Sequence, residues 1–246
     1  MQKNHKRVKA VIAYDGTQYF GFQKQSSTSK TISSDIEKAL HTLQIHTSIV
    51  GSGRTDAGVH ASGQVIHFDL PYYWDDLQKL TLNLNRKLTH IRFKHIVFVD
   101  DDFHARFWAK KRLYRYVFKT RKPSIFEQNY ISYYPNTFNT QALHNALHCF
   151  EGEHDFDFFR KTGTQTHTSV RTIYQAKYIQ RYNYHYIYFL ANGFLRAQVR
   201  MMTYAAMLHA NNKLEIQEIK EQLACREKYT THLASEEGLY LAKVFY

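Results

Sequence analysis

Apolar and polar residues alternate in several short segments of the chain, and elsewhere apolar residues recur every three or four positions. The alternating pattern predicts β-strands, and the wider spacing predicts α-helices. The predicted strands are residues 8–14, 49–50, 64–70, 91–99, 113–119, 170–180, 185–191 and 239–245. The predicted helices are one that Ser33 or Ser34 would cap, followed by residues 74–88, 140–150, 195–209 and 216–225.

A strand–helix–strand order occurs in both parts of the chain. It predicts an α+β protein built from two similar halves, each a mostly antiparallel sheet flanked by helices. The acidic run at residues 100–102 divides the halves, which we place at residues 1–101 and 102–246. Because no low-complexity linker separates them, we expect the halves to pack against each other.

Composition adds a strong positive charge to this picture. The 246 residues include 33 Lys plus Arg against 21 Asp plus Glu, a formal net charge of +12, together with 19 Tyr and 17 Phe. A basic, aromatic-rich protein attracts a polyanion by counterion release and stacks on its bases. Composition alone, however, favours a soluble protein that merely happens to be basic, so the arrangement of the charges has to decide.

The cysteines and the apolar runs bear on location. Cys149 and Cys225 lie far apart and form no CxxC pair, so we expect two reduced thiols. The apolar stretch after the basic N-terminus is too short for a signal peptide, and no run reaches the roughly 18 apolar residues of a membrane span. We therefore expect a cytoplasmic protein with no membrane contact.

Residues 53–61 read Gly-Arg-Thr-Asp-Ala-Gly-Val-His-Ala and set Asp56 between two glycines. Glycine allows positive φ and lets the backbone approach a ligand closely. In extended backbone Arg54 and Asp56 would point the same way, and a nearby guanidinium keeps a carboxylate ionised for nucleophilic or base chemistry. A turn capped by Asp56 would give the same pattern, and on these residues alone it is the better explanation.

Residues 104–122 hold eight Lys or Arg, five aromatic residues and no acid. A strand here would place on one face Arg112, Tyr114, Tyr116 and Phe118. Cations interleaved with aromatic rings form a platform for unpaired bases. The alternative is a charge-protected edge strand whose aromatic residues face the core. The absence of acids over nineteen residues favours the RNA-binding interpretation.

Three further clusters carry weaker signals. Arg196 and Arg200 are four apart and share a helix face, where their partner is either solvent or a carboxylate. His144 and His148 have the spacing of a zinc pair, but no third ligand is evident, so we predict no metal site. Residues 152–156 are acidic, and we expect them to start a short helix that packs through Phe156 and Phe159.

Taken together, these segments resemble the tRNA pseudouridine synthase A (TruA) family. Residues 53–61, continued by residues 63–65, match its active-site motif almost without change. Residues 102–107 and 114–116 are similar to its second motif. Its later motifs are matched at residues 152–156, 194–195, 199–200 and 238–241. The motifs occur in order from about residue 8 to the C-terminus, so the resemblance spans nearly the whole chain.

The resemblance implies the pseudouridine synthase fold, with an active-site cleft between the halves. It implies isomerisation of uridine to pseudouridine in the anticodon stem-loop of tRNAs, at tRNA positions 38, 39 and 40. It places the nucleophile at Asp56, the base-contacting tyrosine at Tyr114 and the arginine that pairs with the nucleophile at Arg200. It also implies a homodimer with no metal and no organic cofactor.

Further residues in these motifs are candidates for binding the RNA. With Tyr114 they are Arg54, Gln64, Arg106, Arg112 and Arg115. The chain departs from the family pattern at Ser33, Arg196, Ala197 and Met201, which bears on RNA docking rather than on the reaction.

Two other functions compete with the synthase. A catalytically inactive tRNA-binding protein or RNA chaperone would keep the basic strand and have no need of Asp56. A hydrolytic glycosidase would usually need a second positioned carboxylate, and no second acid shares a motif with Asp56. Whether a synthase carboxylate attacks C1′ of the sugar or the base stays open.

Overall fold

The computed structural model describes residues 5–163 and 166–246, so the first four residues of the basic N-terminal segment lie outside the described residues. The chain forms two compact units, Met1–Lys110 with Leu241–Tyr246, and Lys111–Tyr240. The strands are β1 (His5–Tyr14), β2 (Val50–Gly51), β3 (His60–Pro71), β4 (Ile91–Phe98), β5 (Lys111–Lys119), β6 (Ser132–Tyr133), β7 (Gly152–Asp155), β8 (Val170–Arg181), β9 (Tyr184–Ala191) and β10 (Leu239–Phe245). The helices are α1 (Ile32–His41), α2 (Leu77–Lys87), α3 (Thr140–Cys149), α4 (Gln198–Ala210) and α5 (Ile216–Leu223).

The first unit is a sheet with two helices. Its strand order is β4-β1-β3-β10, with β2 added beside β3, and β1 runs antiparallel to both β3 and β4. Every second residue of β1 from Val8 to Tyr14 is buried, which gives the sheet a core face. The helices contribute buried apolar side chains that include Ile36, Leu40, Leu80 and Leu84.

The second unit contains the strands in the order β5-β9-β8-β7, with antiparallel pairing from β5 to β7 and a short parallel pairing of β6 to β5. The inward residues of β9 are buried and alternate with half-buried tyrosines. Helix α4 is buried along most of its length. The fully buried aromatic residues of this unit are Phe118, Phe150, Phe156, Phe159 and Phe189.

Both units thus combine antiparallel sheet with helices, and the predicted α+β class is confirmed. Most predicted elements lie within a few residues of their observed positions. The β8–β9 hairpin turns at Tyr182, which has a φ of 53° and lies between the predicted strands 170–180 and 185–191. Strand β6 has only two residues and no alternating pattern, and the sequence analysis missed it.

The cap of α1 differs from the expectation. Thr31, rather than Ser33 or Ser34, is the capping residue, and its Oγ1 accepts a hydrogen bond from the Ser34 N–H at 3.2 Å. Ser33 is buried one position inside the helix, where its hydroxyl donates to the Phe22 carbonyl at 2.6 Å. Three hydroxyl-bearing residues within four positions offer three possible caps, and tertiary contacts decide among them.

The acidic segment 152–156 was also mispredicted. Gly152–Asp155 is strand β7, which pairs with β8, and only Asp157–Phe159 forms a short 3-10 helix. The packing role of Phe156 and Phe159 is confirmed, because both rings are fully buried.

The compact units do not share the boundaries of the predicted halves. The first unit extends nine residues past residue 101 and includes the last six residues of the chain. Backbone hydrogen bonds explain this extension, since the Ala105 N–H donates to His67 and the Lys110 N–H donates to the Phe245 carbonyl. A run of acidic residues therefore does not by itself mark where the packing changes.

We predict that Thr31→Ala destabilises the protein by about 1–2 kcal/mol, because the Ser34 N–H loses its acceptor. Thr31→Ser keeps the hydroxyl and should change the free energy of unfolding by less than about 0.5 kcal/mol. Urea unfolding of both variants measures the difference. Equal losses in the two variants would show that the Thr31 methyl group, rather than its hydroxyl, stabilises α1.

Candidate active site

Asp56 lies in the loop between β2 and β3, and the loop is anchored by its neighbours in the sequence. Thr55 is buried, and its hydroxyl lies 2.8 Å from the Tyr14 hydroxyl at the end of β1. The Thr55 carbonyl accepts a hydrogen bond from the Phe22 N–H at 3.1 Å. Asp56 itself is half-buried. The residue beside the candidate nucleophile therefore fixes the loop to the sheet.

The segment between β1 and α1 crosses this loop at backbone contact. A Cβ atom on Gly16 would lie 2.1 Å from the Val59 carbonyl oxygen, and one on Gly21 would lie 2.8 Å from the Thr55 carbonyl oxygen. Gly21 also has a φ of +99°, in the region that favours glycine. The Gly58 N–H donates to the Tyr19 carbonyl at 3.3 Å across the same crossing. These contacts leave the loop backbone little freedom.

Gln64 ties the loop from the other side. It is fully buried, and its Nε2 donates to the Gly53 carbonyl at 2.8 Å. Its Oε1 accepts from the Ser52 hydroxyl at 2.6 Å and from the Val65 N–H at 3.1 Å. Gln64 is one of the predicted RNA contacts, but in the structure its amide holds the start of the loop.

The side chains of Arg54 and Asp56 are not paired with each other. Arg54 is exposed, and among the residues that the structure describes no ion pair joins its guanidinium to the Asp56 carboxylate. Within the same described ranges, no side chain or backbone N–H donates a hydrogen bond to that carboxylate. The expected local pairing of these two residues is therefore not found.

The second motif is fixed to the sheet of the first unit by Arg7. Its guanidinium makes two hydrogen bonds with the Asp69 carboxylate, at 2.8 and 3.0 Å. It also donates to the Asp101 carbonyl at 2.6 Å and to the Phe103 carbonyl at 3.3 Å. Arg106 follows on the exposed side of this segment. A half-buried clamp thus supports a surface-exposed candidate RNA contact.

His67 adds a buried acceptor to the same segment. Its Nδ1 accepts the Ala105 N–H at 3.1 Å, and its side chain is buried. Burial lowers the pKa of His67 to about 4, and the positive charge of Arg7 adds to this effect. The imidazole is therefore neutral at physiological pH, as its role as an acceptor at Nδ1 requires.

Strand β5 presents its aromatic residues to the core. Tyr114, Tyr116 and Phe118 do share a face, but they are only 7%, 3% and 1% exposed. The platform predicted on this face is therefore wrong for Tyr116 and Phe118, whose burial matches the alternative interpretation. Tyr114 lies against Phe194, with ring centroids 5.0 Å apart in an edge-on arrangement.

The cations of this basic segment have different surroundings. Arg112 donates to the Asn192 carbonyl at 2.9 Å. Arg115 lies on the opposite face of β5 from Tyr114 and packs over the Tyr240 ring at 4.9 Å. Lys119 is buried and paired with Glu127 at 2.9 Å, so its charge stabilises the unit internally. An acid-free sequence therefore does not mean an unpaired surface.

Arg200 on α4 has a carboxylate partner that the sequence analysis missed. Its Nη2 lies 2.7 Å from Glu236 Oε2, and its Nε donates to the Ala234 carbonyl at 2.6 Å. Glu236 lies 36 residues away, in the turn before the Gly238 motif, so no local pattern linked the two. The expected shared helix face of Arg196 and Arg200 is wrong, because α4 begins only at Gln198 after the left-handed Ala197, and Arg196 lies exposed before the helix.

The candidate residues divide between the two units. Asp56, Arg54, Gln64 and Arg106 belong to the first, and Tyr114, Arg112, Arg115 and Arg200 belong to the second. The pairing of Arg200 with Asp56 stays a prediction. Among the described residues there is no group of three or more His, Cys, Asp or Glu that could hold a metal ion. Over the same residues, no helix is both long and apolar enough to cross a membrane.

Comparison with known proteins defines the class to which this fold and loop belong. The family model described as tRNA pseudouridine synthase matches residues 10–107 and 146–246. That match includes the Asp56 loop, the Arg7-supported second motif and α4. The chain belongs to the tRNA pseudouridine synthase family.

Individual relatives align with this chain over nearly their whole length. The chain is similar to tRNA pseudouridine synthase A of Helicobacter hepaticus, with 38% identity over 97% of this chain and 98% of the relative. It is 38% identical to the protein of the same name from Lactococcus lactis subsp. cremoris strain SK11, covering 98% and 97% of the two chains. The Campylobacter jejuni protein of that name is 34% identical over 98% and 100%. The resemblance found in the motifs is thus confirmed.

We predict that Gln64→Ala destabilises the protein by about 2–4 kcal/mol, because three buried polar groups lose their partner and a cavity forms. Gln175→Ala, the same change at an exposed position of β8, should cost less than about 0.5 kcal/mol. Urea unfolding compares the two. A loss at Gln64 as small as that at Gln175 would show that the amide does not hold the loop.

We predict that the free energy of unfolding decreases as the pH is lowered, in part because His67 becomes protonated. Its pKa in the folded protein is about 4, below the usual 6.5, so the unfolded chain binds the proton more readily. Its contribution is therefore complete above about pH 6.5 and is lost as the pH falls towards 4. His67→Asn keeps an acceptor for the Ala105 N–H without titrating, and its free energy of unfolding should fall less steeply over that range. Identical pH profiles would contradict the assignment.

Proposed function

We propose that the protein isomerises uridine to pseudouridine in tRNA, with Asp56 as the nucleophile. The proposal rests on how the loop is held. Tyr14 bonds the Thr55 side chain, and Phe22 and Gln64 bond the loop backbone. The Asp56 carboxylate has no hydrogen-bond partner among the described residues. A carboxylate presented in this way keeps both oxygens for a substrate. Membership of the tRNA pseudouridine synthase family supports the same reaction.

The reaction needs few chemical groups. The N1–C1′ bond breaks, the uracil rotates, C5 bonds to C1′, and the hydrogen on C5 is replaced by one on N1. Atoms and electrons balance within the nucleoside, so the proposal includes no cofactor and no metal. A carboxylate either attacks C1′ or the base, or stabilises the positive charge that develops at the anomeric carbon. Each of these three roles requires the carboxylate form of Asp56.

Tyr114 and Arg200 complete the proposed site. The target base must leave its stack, and an aromatic ring is a suitable surface against which to hold it. Tyr114, the fourth residue of β5, has such a ring, and Phe194 braces it edge-on. Arg200 would orient Asp56 by charge-assisted hydrogen bonds, and Glu236 would fix the direction of its guanidinium.

The substrate is proposed to be the anticodon stem-loop of tRNA, modified at positions 38, 39 and 40. The net charge of +12 supports binding of a phosphate backbone. Arg54 and Arg106, both exposed, are the best-placed candidates for RNA contact in the first unit. Arg112 and Arg115 are half-buried candidates in the second, and we now assign Gln64 to loop support. We propose that the enzyme acts in the cytoplasm as a homodimer, as the family resemblance implies.

We predict that Asp56→Asn abolishes release of tritium from tRNA labelled at uracil C5, lowering the rate by a factor on the order of 1,000 or more. Asp75→Asn makes the same change at an exposed acid of the same unit and should keep the wild-type rate. The synthase makes pseudouridine and no free uracil, which separates it from a glycosidase. tRNA binding without any tritium release from the wild-type protein would indicate an RNA chaperone instead. Full activity of Asp56→Asn would overturn the assignment of the nucleophile.

A further inference from the structure

Phe107 and Trp108 form an exposed aromatic pair in the first unit, outside the Asp56 loop. Phe107 is 75% exposed and Trp108 is 45% exposed. Full exposure of a phenyl ring to water is unfavourable, and a pair of exposed rings in one motif is a candidate contact surface. The two rings follow directly on Arg106 in the second motif.

The His104 ring packs against one face of the Phe107 ring. The two rings are stacked, with centroids 4.2 Å apart and an interplanar angle of 28°. His104 Nδ1 accepts the backbone N–H groups of both Arg106 and Phe107 at 3.2 Å. One side of Phe107 is thus covered by an imidazole that is itself bonded to the backbone of the turn. The high exposure of the phenyl ring then belongs to its other side.

The support continues into the buried part of the unit. The His104 ring lies against the His67 ring, with centroids 4.9 Å apart. His67 in turn bonds the Ala105 N–H, and the Tyr246 hydroxyl donates to the Ala105 carbonyl at 2.7 Å. Partial burial and the charge of Arg7 lower the pKa of His104, so both imidazoles stay neutral. The exposed ring therefore rests on a fixed base.

Charge around the pair is positive. The Arg106 guanidinium carbon lies 5.7 Å from the centre of the Phe107 ring, and Lys110 is exposed four residues after Arg106. No acidic residue occurs between Phe103 and Lys122. A flat ring beside these cations is suited to a nucleobase with its phosphate. A second copy of this chain would bring the same positive charge to the contact, which disfavours it as the occupant.

We propose that Phe107 is a stacking site for an unpaired base of the RNA substrate, with Arg106 contacting the adjoining phosphate. The proposal rests on the proposed function only in taking the ligand to be RNA. It assigns Phe107 a binding role and no catalytic one. The neighbouring Trp108 is turned edge-on towards Phe103, at 5.6 Å between centroids, and supports the turn.

The test is RNA binding by the full chain, measured as Kd for an anticodon stem-loop RNA and for a fully paired duplex of equal length. Phe107→Ala should raise the Kd for the stem-loop about tenfold, the usual scale for losing one stacked base. Phe107→Trp keeps an aromatic face and should stay within about threefold of wild type. The duplex, which offers no unpaired base, should bind all three proteins alike.

A matched control and an abasic scan sharpen the result. Phe126→Ala removes an equally exposed phenyl ring, 82% exposed, from the second unit and should leave the stem-loop Kd unchanged. One abasic position in the loop should weaken binding to the wild type and have little further effect on Phe107→Ala, because the two changes remove the same contact.

Three outcomes would overturn the proposal. They are an unchanged stem-loop Kd in Phe107→Ala, an equal loss for stem-loop and duplex, and a change in oligomeric mass by light scattering with RNA affinity intact. The proposed function is tested separately by tritium release. If Asp56→Asn loses tritium release but RNA binding does not depend on Phe107, only the stacking site is contradicted. If RNA binding depends on Phe107 but the wild-type protein releases no tritium, only the synthase assignment is contradicted.

Discussion

The contact between two stretches of backbone, residues 16–21 and residues 55–59, is the constraint on which the candidate site depends. Gly16 and Gly21 allow these stretches to approach until their carbonyl and Cα atoms touch. Any side chain at Gly16 would overlap the Val59 carbonyl, so the crossing exists only with glycine there. Because the Asp56 carboxylate lies between Thr55 and Val59, its position is set by backbone packing rather than by contacts of its own.

A second layer of constraint comes from buried polar side chains that are hydrogen-bonded to neighbouring segments. Gln64 and His67 both lie on β3, and each uses its side chain to hold a segment outside the sheet, the Asp56 loop in one case and the Ala105 turn in the other. A buried amide or imidazole costs stability unless it is paired, so each acts as a specific tie. Strand β3 therefore organises both sequence motifs of the first unit.

The sequence predicted most helices and strands because their hydrophobic periodicity is strong, as in β1, β9 and α3. It mistook the cap of α1 and the structure of residues 152–156, where hydroxyl or acidic side chains are compatible with several local conformations. Periodicity also placed Tyr114, Tyr116 and Phe118 on one face, but it does not say whether a face meets water or helices. Their burial depends on the packing of other elements, which lie far away in sequence.

The sequence also predicted the candidate site only in part. Asp56 was identified because its motif is contiguous, whereas Glu236, the partner of Arg200, was missed because the pair is joined only by the fold. The roles of Gln64 and Phe107 likewise depend on burial. Both lie in sequence motifs, but Gln64 is fully buried and Phe107 is 75% exposed. Motif membership therefore indicates that a residue matters, while exposure indicates whether it holds the protein or the ligand.

The lack of a local partner for Asp56 follows from how the loop is tied. If the carboxylate itself capped the turn, its oxygens would be occupied by N–H groups and its nucleophilicity would be reduced. Here Tyr14, Phe22 and Gln64 satisfy the loop instead. The turn that first made Asp56 look like an ordinary capping residue is thus held by other side chains and by backbone, and this separation of structural from chemical roles leaves the carboxylate available for a ribose or a base.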